Sequence, residues 1–112
     1  MLTESWSLVF WENIRGSRPV EEWLLSLPAK DRKRLDRLLT LLQKRGPLLP
    51  MPYSKNLGDG LFELRDTAKG PGFRVYYGLV ENQLVLLFAA GNKSSQKRDI
   101  ETSKKRLEGE EN

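Results

Sequence analysis

Gly72-Phe73-Arg74-Val75-Tyr76-Tyr77, the apolar run Leu84 to Ala90, and Gly91-Asn92-Lys93-Ser94-Ser95-Gln96-Lys97-Arg98-Asp99-Ile100 decide the fold of this 112-residue chain. Alternation over Phe73 to Val80 sets Phe73, Val75, Tyr77 and Leu79 on one face and Arg74, Tyr76 and Gly78 on the other, the period of a strand. Leu84 to Ala90 is apolar on both faces, as a central strand is, and a tight turn near Glu81-Asn82 joins it to the strand before. Ser94 or Ser95 then opens a helix as its N-cap. Asp99 suits its first turns, and Gln96, Ile100, Ser103 and Leu107 form its inner stripe. Cations stand at the ends of these elements, where a small protein can offer positive charge to a phosphate backbone.

Gly60 to Asp66 also alternates, with Leu61, Glu63 and Arg65 on one side and Phe62 and Leu64 on the other. Thr67 to Gly72 is a loop, so the three strands make an antiparallel meander. Gly46 to Gly60, with three prolines and three glycines, reads as a connection. Before it, Ala29 to Arg45 reads as a helix with the core stripe Leu35, Leu38, Leu39 and Leu42, ended by Gly46-Pro47. Its remaining surface carries Lys30, Arg32, Lys33, Arg34, Arg37, Lys44 and Arg45 against Asp31 and Asp36. That face is either a contact for nucleic acid or a partner, or an ordinary solvated helix face. Pro19 to Leu27 is a shorter helix with the stripe Val20, Trp23, Leu24 and Leu27, and Leu27-Pro28 interrupts it. Leu2 to Trp11 reads as a first strand. The expectation is an α+β fold: an antiparallel sheet of about four strands, backed by an N-terminal αα-hairpin and followed by a C-terminal helix. One domain spans residues 1–108, and residues 109–112 form a frayed acidic tail.

Nineteen Lys and Arg against fifteen Asp and Glu give a net charge of +4 and a pI near 9.5. Glu108, Glu110 and Glu111 stand in the tail, so the body is more basic than the total suggests, and polyanions or acidic proteins are its natural partners. The chain has no Cys and no His, which removes disulfides, thiolate chemistry, a serine–histidine triad and histidine-ligated zinc. No apolar stretch is long enough for a bilayer, and no signal-peptide layout opens the chain, so the expected location is the cytoplasm with no membrane contact.

Gly60-Leu61-Phe62-Glu63-Leu64-Arg65, Gly70-Pro71-Gly72-Phe73-Arg74-Val75-Tyr76-Tyr77 and Gly91 to Ile100 come in the order and at about the spacing of one branch of the RelE/ParE toxins. That branch is the HigB-like, Gp49-like or addiction-module killer proteins, and the resemblance runs from about Pro19 to Leu107. It implies the RelE-like fold, one curved sheet with both hairpin helices on its convex side. It implies a type II toxin whose partner is a small antitoxin, commonly a helix-turn-helix protein, with operator DNA reached only through that antitoxin. It implies ribosome-dependent cleavage of mRNA and growth arrest, needing no metal or cofactor. A ParE-like gyrase inhibitor and a non-catalytic antitoxin-binding co-repressor are the alternatives.

Metal-free RNA cleavage uses the 2′-hydroxyl as nucleophile, and needs a base, cations on the phosphorane and an acid for the leaving 5′-oxygen. The resemblance implies a catalytic set of Arg65, Arg74, Lys93 and Tyr76, and RNA contacts from Lys55, Lys69, Gln96 and Lys97. Arg65 ends one strand and Arg74 begins the next, so both guanidiniums are expected to converge on one phosphate and hold its oxygens in a fixed fork. Arg74 matches the arginine of the family's Gly-aromatic-Arg motif. Arg65 stands where some members carry a lysine proposed as base, a role guanidinium cannot fill. Lys93 either binds phosphate or acts as acid. Tyr76 either stacks on a base or relays a proton. Glu63 is either the general base or the ion-pair partner of Arg65, and the pair is favoured because a neighbouring arginine lowers a carboxylate's pKa. Gln96 either reads RNA or serves the helix start. Tyr77 belongs to the core, and Trp6, Trp11 and Trp23 to packing. Two features depart from the family: histidine is absent, and nothing aromatic follows Phe88.

Overall fold

The computed structural model describes residues 6–46, 49–80 and 84–110. The order is β1 (Ser7–Phe10), α1 (Pro19–Ser26), α2 (Ala29–Arg45), β2 (Ser54–Gly58), β3 (Leu61–Arg65), β4 (Arg74–Val80), β5 (Leu84–Gly91) and, after a 3₁₀ turn at Lys93–Ser95, α3 (Gln96–Leu107). One five-stranded sheet has the order β1-β5-β4-β3-β2. β2 to β5 are antiparallel neighbours, and β1 lies parallel to β5 on the far edge.

Two expectations change. The sheet has five strands, because Ser54–Gly58, read as connection, pairs with β3 as an edge strand. Pro50 and Pro52 precede it and Gly58 ends it, so the segment's composition masked a run short enough to sit between them. Among the described residues the first strand covers Ser7–Phe10 and leaves out Trp6 and Trp11 of the predicted Leu2–Trp11; residues 1–5 lie outside the described residues, as do the turn at Glu81-Asn82 and Pro47. At the end of α3, Gly109 N–H donates to Arg106 O and Glu110 N–H to Lys105 O, closing the helix in a left-handed turn at Gly109. Residues 111 and 112 lie outside the described residues.

The sheet separates two apolar clusters. On one face α1 and α2 bury Val20, Leu24, Leu35, Leu39 and Leu42 against Leu64, Val75, Tyr77, Val85 and Leu87. Leu27 is pushed into an extended conformation before Pro28, which ends α1 and starts α2. Gly46 ends α2 at a φ of +53°, and the Trp6 ring lies where a Cβ would stand. Trp23 packs edge-on against Phe73 at 5.4 Å, and the Tyr77 hydroxyl bonds Ser54 Oγ, so both belong to this core.

On the other face α3 covers Leu61, Tyr76, Phe88 and Ala89, with Trp11, Ile100 and Leu107 at the margin. A bulge in β5 makes this possible. Tyr76 pairs with Ala89 and Tyr77 with Leu87, so Phe88 is the extra residue. The bulge turns Phe88 towards α3, into the space above Gly78, where a Cβ would approach its ring to 2.9 Å. It also interrupts the ladder at Phe88, whose carbonyl accepts from Arg106 Nη1 at 2.6 Å. Arg106 lies over the Trp11 ring at 4.3 Å, so α3 is held to the sheet by charge as well as by apolar contact.

Candidate functional site

The alternation that buries Leu61 under α3 puts Glu63 and Arg65 on the same face of β3. Arg74 and Tyr76 join them from β4, where Glu63 is the register partner of Tyr76 and Arg65 of Arg74. Directly opposed residues have Cβ atoms about 5 Å apart, and like charges so placed repel. The opposing charge comes from Glu63, which is fully buried. Its Oε1 is 2.6 Å from Arg65 Nε and its Oε2 is 3.4 Å from Arg74 Nε. Gln96, the first residue of α3, donates from Nε2 to the same Oε2 at 2.7 Å. One buried carboxylate thus orients two arginines and ties them to the helix, leaving one net positive charge on the trio. Arg65 keeps 26% of its side chain exposed and Arg74 13%, so both reach solvent.

The loop after β3 is shaped around the same pair. Asp66 N–H donates to Phe73 O, and Arg34 of α2 holds the Asp66 carboxylate at 2.8 Å, which fixes the loop's base. Arg74 Nη1 donates to Gly72 O at 2.7 Å, and Lys93 N–H donates to Pro71 O. Gly72 has a φ of +71°; a Cβ there would meet Arg74 Nη1 at 3.1 Å and Lys93 Cβ at 3.2 Å. The glycine allows Arg74 and Lys93 to approach from either side of one backbone position. Lys93 itself is exposed in the 3₁₀ turn, whose cap is Asn92: its Oδ1 accepts from Ser94 and Ser95 N–H. The serines expected to cap α3 are themselves capped.

Tyr76 is fully buried, and its Oη has no hydrogen-bond partner among the described residues. Burial pushes its pKa far up, and the negative charge of Glu63 pushes the same way, so the phenol stays neutral. No ring face is open to a base, which removes the stacking role considered from sequence. Gln96 opens α3 and donates from Nε2 to Glu63 Oε2, so its amide ties the helix start to the buried carboxylate. Lys55 lies opposite Glu63 on β2 and is exposed at the sheet edge. Lys69, in the loop, and Lys97, in the first turn of α3, are exposed and make no ion pair among the described residues. The sequence thus brings Arg65, Arg74, Tyr76 and Lys93 to one end of the meander, with Lys55, Lys69 and Lys97 on the surface.

Two participants were not singled out from sequence. Arg34 was one of seven cations on a helix, and nothing distinguished it before Asp66 was seen beside it. Tyr53 was hidden in the presumed connection; its carbonyl accepts from Arg65 N–H at 2.7 Å. Among the described residues no group of His, Cys, Asp or Glu is arranged to hold a metal ion, and no helix is long and apolar enough to cross a membrane. The cluster can hold an oxyanion in a preorganised fork, the task on which charge stabilisation in a transition state depends.

Comparison with known proteins gives three results. The model of the phage-derived protein Gp49-like family matches residues 22–108. An uncharacterised protein of Haemophilus influenzae is 44% identical over 50 residues, 45% of this chain and 50% of that protein, so the chain spans about half the length of the curated relative it matches. An arginine-to-alanine double variant of the E. coli toxin RelE in the free state superposes with a TM-score of 0.66 at 17% identity, over 92% of this chain and 98% of that one. The last is a likeness of fold.

Proposed function

The chain belongs to the phage-derived Gp49-like family, and from that membership and its RelE-like fold we propose that it is the toxin of a type II toxin–antitoxin module, an endonuclease that cuts mRNA on the ribosome. The observation that carries the reading is the arginine pair, opposed across β3 and β4 and oriented by one buried carboxylate. Arg65 and Arg74 grip the scissile phosphate and hold the charge that grows on it as the 2′-oxygen attacks. Removing one such donor costs about 3 kcal/mol of transition-state stabilisation. Lys93, exposed beside Arg74, protonates the leaving 5′-oxygen. Tyr76 is a neutral floor beneath them.

Glu63 is locked between guanidiniums and Tyr76 is neutral, so neither takes the 2′-hydroxyl proton. The proton passes to a group supplied by the ribosome, which is the physical reason for assigning cleavage to the ribosome and not to free RNA. Basic Lys55, Lys69 and Lys97 supply screened, sequence-independent attraction to the RNA backbone. The partner is a cognate antitoxin, a helix-turn-helix protein through which operator DNA is reached, and the site of action is the cytoplasm.

The same want of a base favours one second reading, a toxin that binds without cutting: a ParE-like gyrase inhibitor or an antitoxin-bound co-repressor. Induction of the chain alone separates these. Loss of translation with new 5′ ends mapped inside codons by primer extension, abolished by Arg74→Ala, supports the endonuclease. DNA damage with intact transcripts supports the gyrase inhibitor, and harmless expression the co-repressor.

A further inference from the structure

We propose that the outward face of α2 docks on the phosphate backbone of an RNA helix, a segment distinct from the message held at Arg65 and Arg74. Lys30, Lys33, Arg37, Thr40 and Lys44 recur at alternating spacings of three and four residues, so they lie in one row along the helix. All five are exposed, while Leu35, Leu39 and Leu42 on the other side of the helix are buried. At 1.5 Å per residue the row is about 21 Å long. The assignment to RNA rests on the reading of this protein as one that acts on the ribosome.

The row is not the balanced surface of a merely solvated helix. Elsewhere arginines are matched by acids: Arg18 by Glu12 and Glu21, Arg34 by Asp31 and Asp66, Arg65 and Arg74 by Glu63. Asp36 is the other acid of α2, and it makes no ion pair among the described residues. Lys30, Lys33, Arg37 and Lys44 make none either. Like charges three and four residues apart on a helix repel. A polyanion laid along the row relieves that repulsion.

The composition of the row favours nucleic acid over a protein partner. The cores of protein interfaces are rich in aromatic residues and poor in lysine. The row holds three lysines, an arginine and a threonine, with no apolar side chain among them. It also holds no aromatic ring, the group on which the bases of a single strand stack. Cations and a hydroxyl without rings suit the phosphates and 2′-hydroxyls by which duplex RNA is recognised.

Its position makes the row a second site. α1 and α2 cover one face of the sheet, whereas Arg65 and Arg74 lie on the other, the face of Leu61 and Tyr76 beneath α3. The sheet stands between row and clamp, so the row is available to one RNA segment while the clamp holds another. The ribosome presents both. A row that touches no reacting atom contributes binding felt equally before and during reaction, so its loss raises KM and leaves kcat alone.

The test measures binding of the full chain to a fluorescein-labelled RNA duplex of about 16 base pairs over a range of salt concentrations. Two variants lose the same charge: Lys33→Gln, Arg37→Gln, Lys44→Gln on the row, and Arg98→Gln, Lys104→Gln, Lys105→Gln at exposed positions of α3. The row variant is expected to reduce the magnitude of the slope of log K against log salt by about 3, one for each phosphate contact removed. The α3 variant is expected to keep the wild-type slope. Glutamine is a good helix former, and thermal unfolding reports whether each fold is intact. An unchanged slope in the row variant overturns the proposal. So does an equal fall in both variants, which would make the attraction one of net charge. Retained duplex binding with lost capture of the antitoxin overturns it in favour of a protein-docking face. A row-dependent preference for a DNA duplex of the same sequence overturns the assignment to RNA. On ribosome-bound mRNA the row variant is expected to raise KM at unchanged kcat, and a fall in kcat alone contradicts docking. Row-dependent duplex binding by a protein that leaves ribosome-bound mRNA uncut keeps the docking face and removes only the nuclease.

Discussion

Arg65 and Arg74 are register partners at the end of β3 and the start of β4, two like charges opposed on one face of a sheet. Such a pair is destabilising unless something between them reverses the sign. Glu63 does so from a fully buried position, bonded to Arg65 and to Gln96 and 3.4 Å from Arg74. The three side chains form one object, and its stability and its ability to bind an anion are linked.

Removing the carboxylate separates those two properties by degree. Glu63→Ala leaves two guanidiniums facing each other with no counter-charge, and is expected to cost about 3–5 kcal/mol, the usual penalty for deleting one partner of a buried pair. Glu63→Gln keeps the shape and a hydrogen-bond acceptor, so it is expected to cost less while still disordering the fork. Urea unfolding gives the stabilities. Growth after induction is expected to show weakened toxicity in Glu63→Gln even where the fold survives, and full toxicity in that variant would mean that the carboxylate does not orient the arginines.

Tyr76 and Tyr77 make stability fall at alkaline pH. Burial, and then Glu63, raise Tyr76 above its usual 10.0; burial raises Tyr77, with the bond to Ser54 acting the other way. A phenol whose folded pKa lies above its unfolded value keeps its proton in the native state while the unfolded chain loses it. Its contribution is therefore complete below pH 10 and is lost as the pH rises beyond that point. Each tyrosine adds a slope approaching about 1.4 kcal/mol per pH unit. The urea midpoint is expected to hold to pH 10 and then drop, and the Tyr76→Phe, Tyr77→Phe double variant to drop less steeply. Because the Tyr76 hydroxyl has no partner, Tyr76→Phe alone is expected to leave toxicity unchanged and stability equal or higher.

Gly72→Ala probes the loop. Its φ of +71° disfavours a side chain by about 1–2 kcal/mol, and the new Cβ would press on Arg74 Nη1 and Lys93 Cβ. A modest fall in melting temperature with a larger fall in toxicity is expected. Equal activity at reduced stability would show that neither cation needs its present place.

Much of this arrangement was legible in the sequence because it follows from strand periodicity. Arg65 and Arg74 flank a loop between two alternating segments, so their shared face could be counted out residue by residue. The bounds of α2 followed from a leucine stripe closed by glycine and proline. β2 was not legible: five residues between prolines and glycines bury only Ser54 fully, and the segment is a strand because β3 offers it an edge. The β5 bulge, the parallel pairing of β1 and the burial of Tyr76 were likewise set by tertiary packing. The role of Gln96 depends on a contact 33 residues distant along the chain, which no local pattern encodes.

The most direct measurement is a double-mutant cycle on single-turnover cleavage of ribosome-bound mRNA, using Arg65→Ala, Arg74→Ala and the two together. If both guanidiniums hold one phosphate, each single change slows cleavage by about 10²–10³ and the double change by far less than the product of the two. Independent, multiplicative losses, or cleavage that survives Arg74→Ala, would contradict a shared anion clamp.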